Sequence, residues 1–466
     1  MSCTELRDLL TPGAIKVLTI TLFLDLLSFS GTVYHYLGVV NLYNLIEDPT
    51  LYIKFTAVFS TVTALPTSLL NDMLYKIPPA QLMPALYFVK GTSLFLYGVI
   101  MYQSSWDPYL KLGLAFIVLT PLHFAANFDN NYFERHLYVE LSRKYGVKLG
   151  ITNSGRSIIG SATAGVQVVV VGIIYNSLSL EDSSLYLCSF CYILAITMTI
   201  VSRKLFQDYP GVPQREHKTV SLISNLKTQV QSLLRCKVFK ILLAHVLDTM
   251  TISHAYMSLF FLRSGLDELT MSYVTGLAEI LHIFCAVVNI VKYNYRWSSR
   301  FADMFIVGHV IALLLMVYVT ACWSYEVLVP WFLQVDEVEH STMPGWMVGY
   351  FVLSLSTNLL VGTIKLVKQE FLQDNIPSED RGSIAGVTKF ISLSIHIAIS
   401  AVNVWLPDTY LYLFNFVISV VVHIITLGIM FSYKFQEEAR EKDVSSDYED
   451  ESMPLTSNKF SIEDES

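Results

Sequence analysis

Runs of about twenty apolar residues recur along the whole chain, and one such run is long enough to cross a bilayer as a helix. About twelve are present, at 15–42, 51–74, 80–102, 109–139, 149–175, 184–205, 238–262, 270–292, 301–324, 345–369, 384–406 and 409–434. Only 15% of the residues are charged, too few to cover the surface of a soluble globule of this size. The expected fold class is therefore an all-α membrane protein. The first run is too long for a cleavable leader and lacks a small-residue cleavage site, so it is expected to act as its own insertion signal.

The middle of the chain, Arg203 to Lys240, is polar and basic, carrying Arg215, Lys218, Lys227, Arg235 and Lys237 between its ends. Lys and Arg resist translocation, so this loop is expected on the cytoplasmic side. The other loops alternate around it. Lys76, Arg135, Arg143, Lys144, Lys148, Lys292, Arg296, Arg300, Lys365, Lys368 and Arg381 fall on the same side. Glu47, Asp48, Asp107, Glu181, Asp182, Asp267, Glu268, Asp336, Glu337, Glu339 and Asp408 fall opposite, with Arg263 as the main exception. An even number of spans puts both termini in the cytoplasm.

The expected organisation is a six-helix lobe at 1–205, a cytoplasmic linker at 206–237, a second six-helix lobe at 238–435, and an acidic tail at 436–466 too poor in apolar residues to fold. The net charge of −8 comes largely from that tail and the outer loops, and implies no nucleic-acid partner. Two six-helix halves joined by a basic loop is the layout of a major-facilitator transporter, which binds its substrate mid-membrane between rocking halves. Neither a filter segment nor a cluster of catalytic groups is evident, so a channel and an enzyme are not expected.

Ionisable residues at bilayer depth are costly, which makes each one a candidate for function. The first span holds Asp25 and His35, about 15 Å apart along a helix axis. The seventh has an unusually polar stretch, with Asp248, Thr249, Thr251, Ser253 and His254, suited to a broken helix lining a transport site. His396 lies in the eleventh, balanced between packing and ligation. Glu279 and His282 are i, i+3 neighbours able to pair, while His309 and His423 read as lone packing histidines. Asp129, Glu134 and Arg135 are expected to form salt bridges near the cytoplasm. Cys188 and Cys191 form a CxxC inside an apolar helix, where packing is expected in place of redox or metal chemistry. Two cytoplasmic turns read as gates: Asp72 with Lys76, and Glu379, Asp380 and Arg381 before the eleventh span.

That last turn carries a resemblance. KQEFLQDNIPSEDRGSIAGVTKFISL, with WLPDTYLYLF and SYKF after it, resembles the C-terminal portion of the ferroportins, solute carrier family 40. Weaker similarity lies in LLNDMLYK, FERHLYVELSRKYGVKLGITNSG and VLDTMTISHAY. The resemblance implies an iron exporter of the major facilitator fold, resident in the plasma membrane, without a cofactor and with Fe(II) as cargo. It implies one metal site per half. The first falls on His35, with Thr32 where the family has Asp and Asp25 two turns earlier. The second falls on Thr249, where the family has Cys, and on Ile399, where it has His, with His396 one turn away and Asp248 adjoining Thr249. His35 with Asp25, and His396 with Asp248 or His254, would supply incomplete N/O shells suited to reversible binding of Fe(II) or Mn(II). Vertebrate members are blocked by hepcidin through that Cys, so hepcidin-type regulation is not expected with Thr249 in its place. Two alternatives stay open: a transporter of a small organic solute, and a non-transporting receptor on the same fold.

Overall fold

Several helix starts coincide with residues that cap a helix. In the computed structural model the described residues are 11–26, 77–132, 138–207, 238–248, 268–292, 301–333, 381–403 and 405–451 except 407, with a few single or short positions between them. Helix α1 (Pro12–Leu26) opens on Thr11, whose Oγ1 accepts the Ala14 N–H at 3.3 Å, with a proline at the first helical position. Helix α2 (Pro79–Tyr102) also starts on proline, and α3 (Pro108–Tyr132) follows Asp107, whose Oδ1 accepts the N–H groups of Tyr109 and Leu110 at 2.9 and 3.1 Å. A short α4 (Tyr138–Lys144) precedes α5 (Leu149–Ser177). Ser179 then caps α6 (Leu180–Leu205), accepting from Asp182 N–H at 3.1 Å. Glu181 and Asp182 in its first turn and Arg203 and Lys204 in its last complement the helix dipole.

The second half contributes α7 (Phe239–Asp248), α8 (Glu268–Lys292), α9 (Phe301–Leu333), α10 (Arg381–Asn403) and α11 (Asp408–Glu451). No strand occurs among the described residues. Six helices among them are long and apolar enough to cross a membrane: α2, α3, α5, α6, α9 and α11. Large apolar side chains such as Phe88, Ile117, Ile193, Leu314 and Ile424 point outward from them, as a lipid-facing surface requires. The chain is an all-α, multi-pass integral membrane protein.

Two elements differ from expectation. The expected fourth span at 109–139 is described as α3 up to Tyr132 and as α4 from Tyr138, with 133–137 outside the described residues. Helix α9 runs on past residue 324 to Leu333. Helix α11 continues to Glu451, into the stretch expected not to fold. The residues after Phe435, QEEAREK, are strong helix formers, and an established helix propagates at one hydrogen bond per residue without a new nucleus. Spans 51–74 and 345–369 and the linker lie almost wholly outside the described residues.

Helices in lipid associate by close packing, and small residues set how close they come. Against α6, α2 presents two glycines. A Cβ built on Gly91 would lie 2.3 Å from the Ala195 Cβ, and one on Gly98 would lie 2.6 Å from the Cys188 Cβ and 3.1 Å from the Ser184 carbonyl oxygen. Cys188 and Cys191 are free thiols buried on this seam, in accord with the packing role expected for the CxxC. Phe95 stacks on Tyr192 with ring centroids 5.1 Å apart. Gly98→Val is expected to lower stability by about 1–3 kcal/mol through overpacking, read as a lowered Tm of the purified protein in detergent.

Candidate translocation site

Helix α7 carries Asp248, the first residue of the polar stretch singled out in the seventh span. Its last turns pack Val246 and Leu247 into an apolar cluster with Ile391, Ile395 and Ile399 of α10 and with Ile418 and Val422 of α11. Asp248 is the next residue of α7 and its last described one. On α10, the i, i+4 stripe 391, 395 and 399 faces this cluster, and the half-buried His396 adjoins it. The packing thus brings the end of α7, where Asp248 stands, against the stretch of α10 that bears His396. Ile399, where the family His is implied, is part of the apolar contact itself.

The other expected site residues are distributed as follows. Asp25 belongs to α1, one residue before its described end, and Arg381 opens α10. His35, His254, Asp72, Lys76, Glu379, Asp380, Thr32 and Thr249 lie outside the described residues, as do Glu134 and Arg135. Among the described residues no three His, Cys, Asp or Glu side chains converge in a way that could hold an ion.

Several polar contacts at membrane depth were less legible. His309 of α9 and His423 of α11 do not pack singly: their Nδ1 atoms meet at 3.1 Å, both rings are buried, and Phe305 lies 4.3 Å from the His309 ring. One Nδ1 must carry the proton and the other accept it. The two residues are 114 positions apart in sequence, so no local spacing signals the pair. At one end of the same helix pair, Lys434 bonds Asp303. Asn403 and Asn415 exchange amide hydrogen bonds at 3.2 and 3.1 Å across the α10–α11 turn, both buried. Lys90 is a buried cation in α2 with its Nζ 5.9 Å from the centre of the Tyr87 ring. A lysine inside an apolar run is a visible signal, but it was not among the candidates. Glu279 and His282 approach to 3.4 Å, as their spacing suggested.

No family model and no curated protein matches the chain. Its fold does match solved structures. The architecture is that of an all-helical membrane protein. It is similar to crystal structures of a bacterial homologue of the iron transporter ferroportin. In the outward-facing state with soaked iron the TM-score is 0.61 at 12% identity, covering 90% of this chain and 98% of that one. The outward-facing state without that soak gives 0.61 at 14%, and the inward-facing state 0.57 at 13%, each covering 90% of this chain and 99% of the other. At this identity the likeness establishes the fold.

A hydrogen bond between helices in lipid is worth about 0.6 kcal/mol on average and rarely above about 1.7. A double-mutant cycle of His309→Phe and His423→Phe, read by thermal or denaturant unfolding, is expected to return a coupling energy within that range.

Proposed function

We propose that this protein exports a divalent metal ion across the plasma membrane, most readily Fe(II), by alternating access between two halves, with both termini in the cytoplasm. The observation that carries this reading is the match, over most of both chains, to a ferroportin homologue solved in outward- and inward-facing states. The packing of α7 against α10 supports it further, since it brings the segment ending at Asp248 to the part of α10 that carries His396.

Chemistry is consistent with such a cargo. Carboxylate and imidazole suit Fe(II) and Mn(II), and a thiolate at position 249 would have favoured softer ions. In this scheme Asp248 and His396, with His254, form an incomplete shell in the second half, and Asp25 with His35 forms its counterpart in the first. Few protein ligands keep binding reversible, and protonation of a histidine would release the ion. Asp72 with Lys76, and Glu379, Asp380 and Arg381, close the cytoplasmic side in one state and separate in the other. The protein needs no cofactor and performs no covalent chemistry. Thr249 removes the thiol that hepcidin-type regulation requires.

Cells loaded with labelled iron and expressing the protein are expected to release it faster than control cells. Release should fall by at least about tenfold, the loss expected of a disturbed metal ligand set, for His396→Ala or Asp248→Asn at matched surface expression. Equal efflux from expressing and control cells for iron, manganese, cobalt and zinc would favour a receptor role. Flux of an organic solute in the same assay would favour the small-molecule transporter.

A further inference from the structure

Near one end of the first half, a tight turn holds an aromatic ring between two lysines. Helix α4 stops in a Schellman turn. Val147 N–H donates to the Ser142 carbonyl at 2.9 Å and Gly146 N–H to the Arg143 carbonyl at 3.2 Å, with Gly146 at a φ of 64° that suits glycine. Ser142 Oγ donates to Thr152 Oγ1 of α5 at 2.8 Å, tying the turn to the next helix. Gly13 lets the first turn of α1 lie on the Tyr145 backbone, since a Cβ there would fall 2.5 Å from the Tyr145 carbonyl oxygen. Tyr145 is thereby fixed with Lys16 Nζ 5.6 Å and Lys144 Nζ 5.9 Å from the centre of its ring.

We propose that this corner, together with Arg203 and Lys204 at the end of α6, binds the phosphate headgroups of anionic phospholipids. Three segments meet here on one apolar cluster: Val17 of α1, Tyr145 and Val147 of the turn, and Leu205 and Phe206 at the end of α6. Lys16, Arg203 and Lys204 are exposed on those segments. Lys144 also engages another group, so the surface is carried by the other three cations. Among the described residues of this corner the carboxylate is Glu140, and its partner is Arg143, at 3.0 Å.

The placement of these cations points to a lipid over a free anion. Ile15 beside Lys16, and Ile200 one turn before Lys204, are exposed large aliphatic side chains on apolar helices. Lipid tails cover such side chains, and lysine and arginine stems reach from that depth to the headgroup level. Tyrosine suits the same boundary, with an apolar body and a polar tip. Lys and Arg clustered beside a membrane helix attract anionic headgroups, and the attraction falls off within a Debye length. With both termini in the cytoplasm, as proposed above, this end of the helices faces the leaflet that carries the anionic lipid.

Lipid binding is measured without metal or flux, so its failure and that of the export proposal are distinguishable. The full-length protein in detergent micelles is titrated with phosphatidylserine or phosphatidylcholine, and bound lipid is followed by native mass spectrometry. Phosphatidylserine is expected to be retained in preference, and the preference to shrink as salt is raised. Lys16→Gln, and Arg203→Gln with Lys204→Gln, are expected to weaken phosphatidylserine binding about fivefold for each charge removed, while Lys16→Arg retains it. Lys240→Gln, which removes a cation of the second half that bonds Ser432, is expected to leave it unchanged. Equal retention of the two lipids by the wild type overturns the proposal, as does wild-type affinity in the variant lacking all three charges. Equal weakening by Lys240→Gln overturns it as well, since the attraction would then belong to no particular corner. Displacement of phosphatidylserine by millimolar inorganic phosphate would mark a site for soluble anions and overturn the lipid assignment. Where the triple variant does not fold, the salt series on the wild type decides: a preference lost at high salt supports the surface, and one that persists unchanged overturns it.

Discussion

Hydrocarbon offers no partner to a backbone amide, so every N–H and carbonyl at membrane depth must be bonded within its own segment. That single requirement makes the chain helical and puts its capping chemistry at the helix starts. Thr11, Asp107 and Ser179 each supply a side-chain oxygen where the first turn would leave amides unpaired. Prolines at the starts of α1, α2 and α3 cost nothing there, because those positions have no intrahelical acceptor to lose.

Once the backbone is satisfied, lipid and leucine are equally apolar, and the helices need another reason to meet. Glycine supplies it. The α2–α6 seam places glycines where a methyl group would collide with a neighbour, and the α5–α8 seam places them where it would be in close contact. Their consequences differ. The α2–α6 seam joins helices of one half and holds buried thiols and stacked rings. The α5–α8 seam joins the first half of the chain to the second. By contrast, α9 and α11 are fastened to each other by the His309–His423 contact and the Asp303–Lys434 pair.

Buried polar groups then divide into two kinds. The Asn403–Asn415 exchange satisfies amide donors and acceptors reciprocally and stiffens the α10–α11 corner. The His309–His423 contact does the same for two imidazoles. Glu279 with His282 is different, being set at 3.4 Å, wider than a strong hydrogen bond, and only partly buried.

Hydropathy alone was enough to read the membrane class, the approximate bounds of α2, α5, α6, α8 and α10 and the packing role of the CxxC, because burial in lipid writes itself into every run of about twenty residues. The Glu279–His282 contact was legible too, since i, i+3 neighbours on a helix meet whatever surrounds them. Contacts between distant segments were not. Nothing in the local sequence told His309 that His423 would be its partner. The extension of α11 likewise turned on continuation of a helix past its apolar stretch, to which hydropathy is blind. Sequence by itself determined what must lie in the membrane, because transfer free energy is a property of each segment taken singly. Only the tertiary structure decided which polar groups face one another, because a distance between two helices is a property of neither.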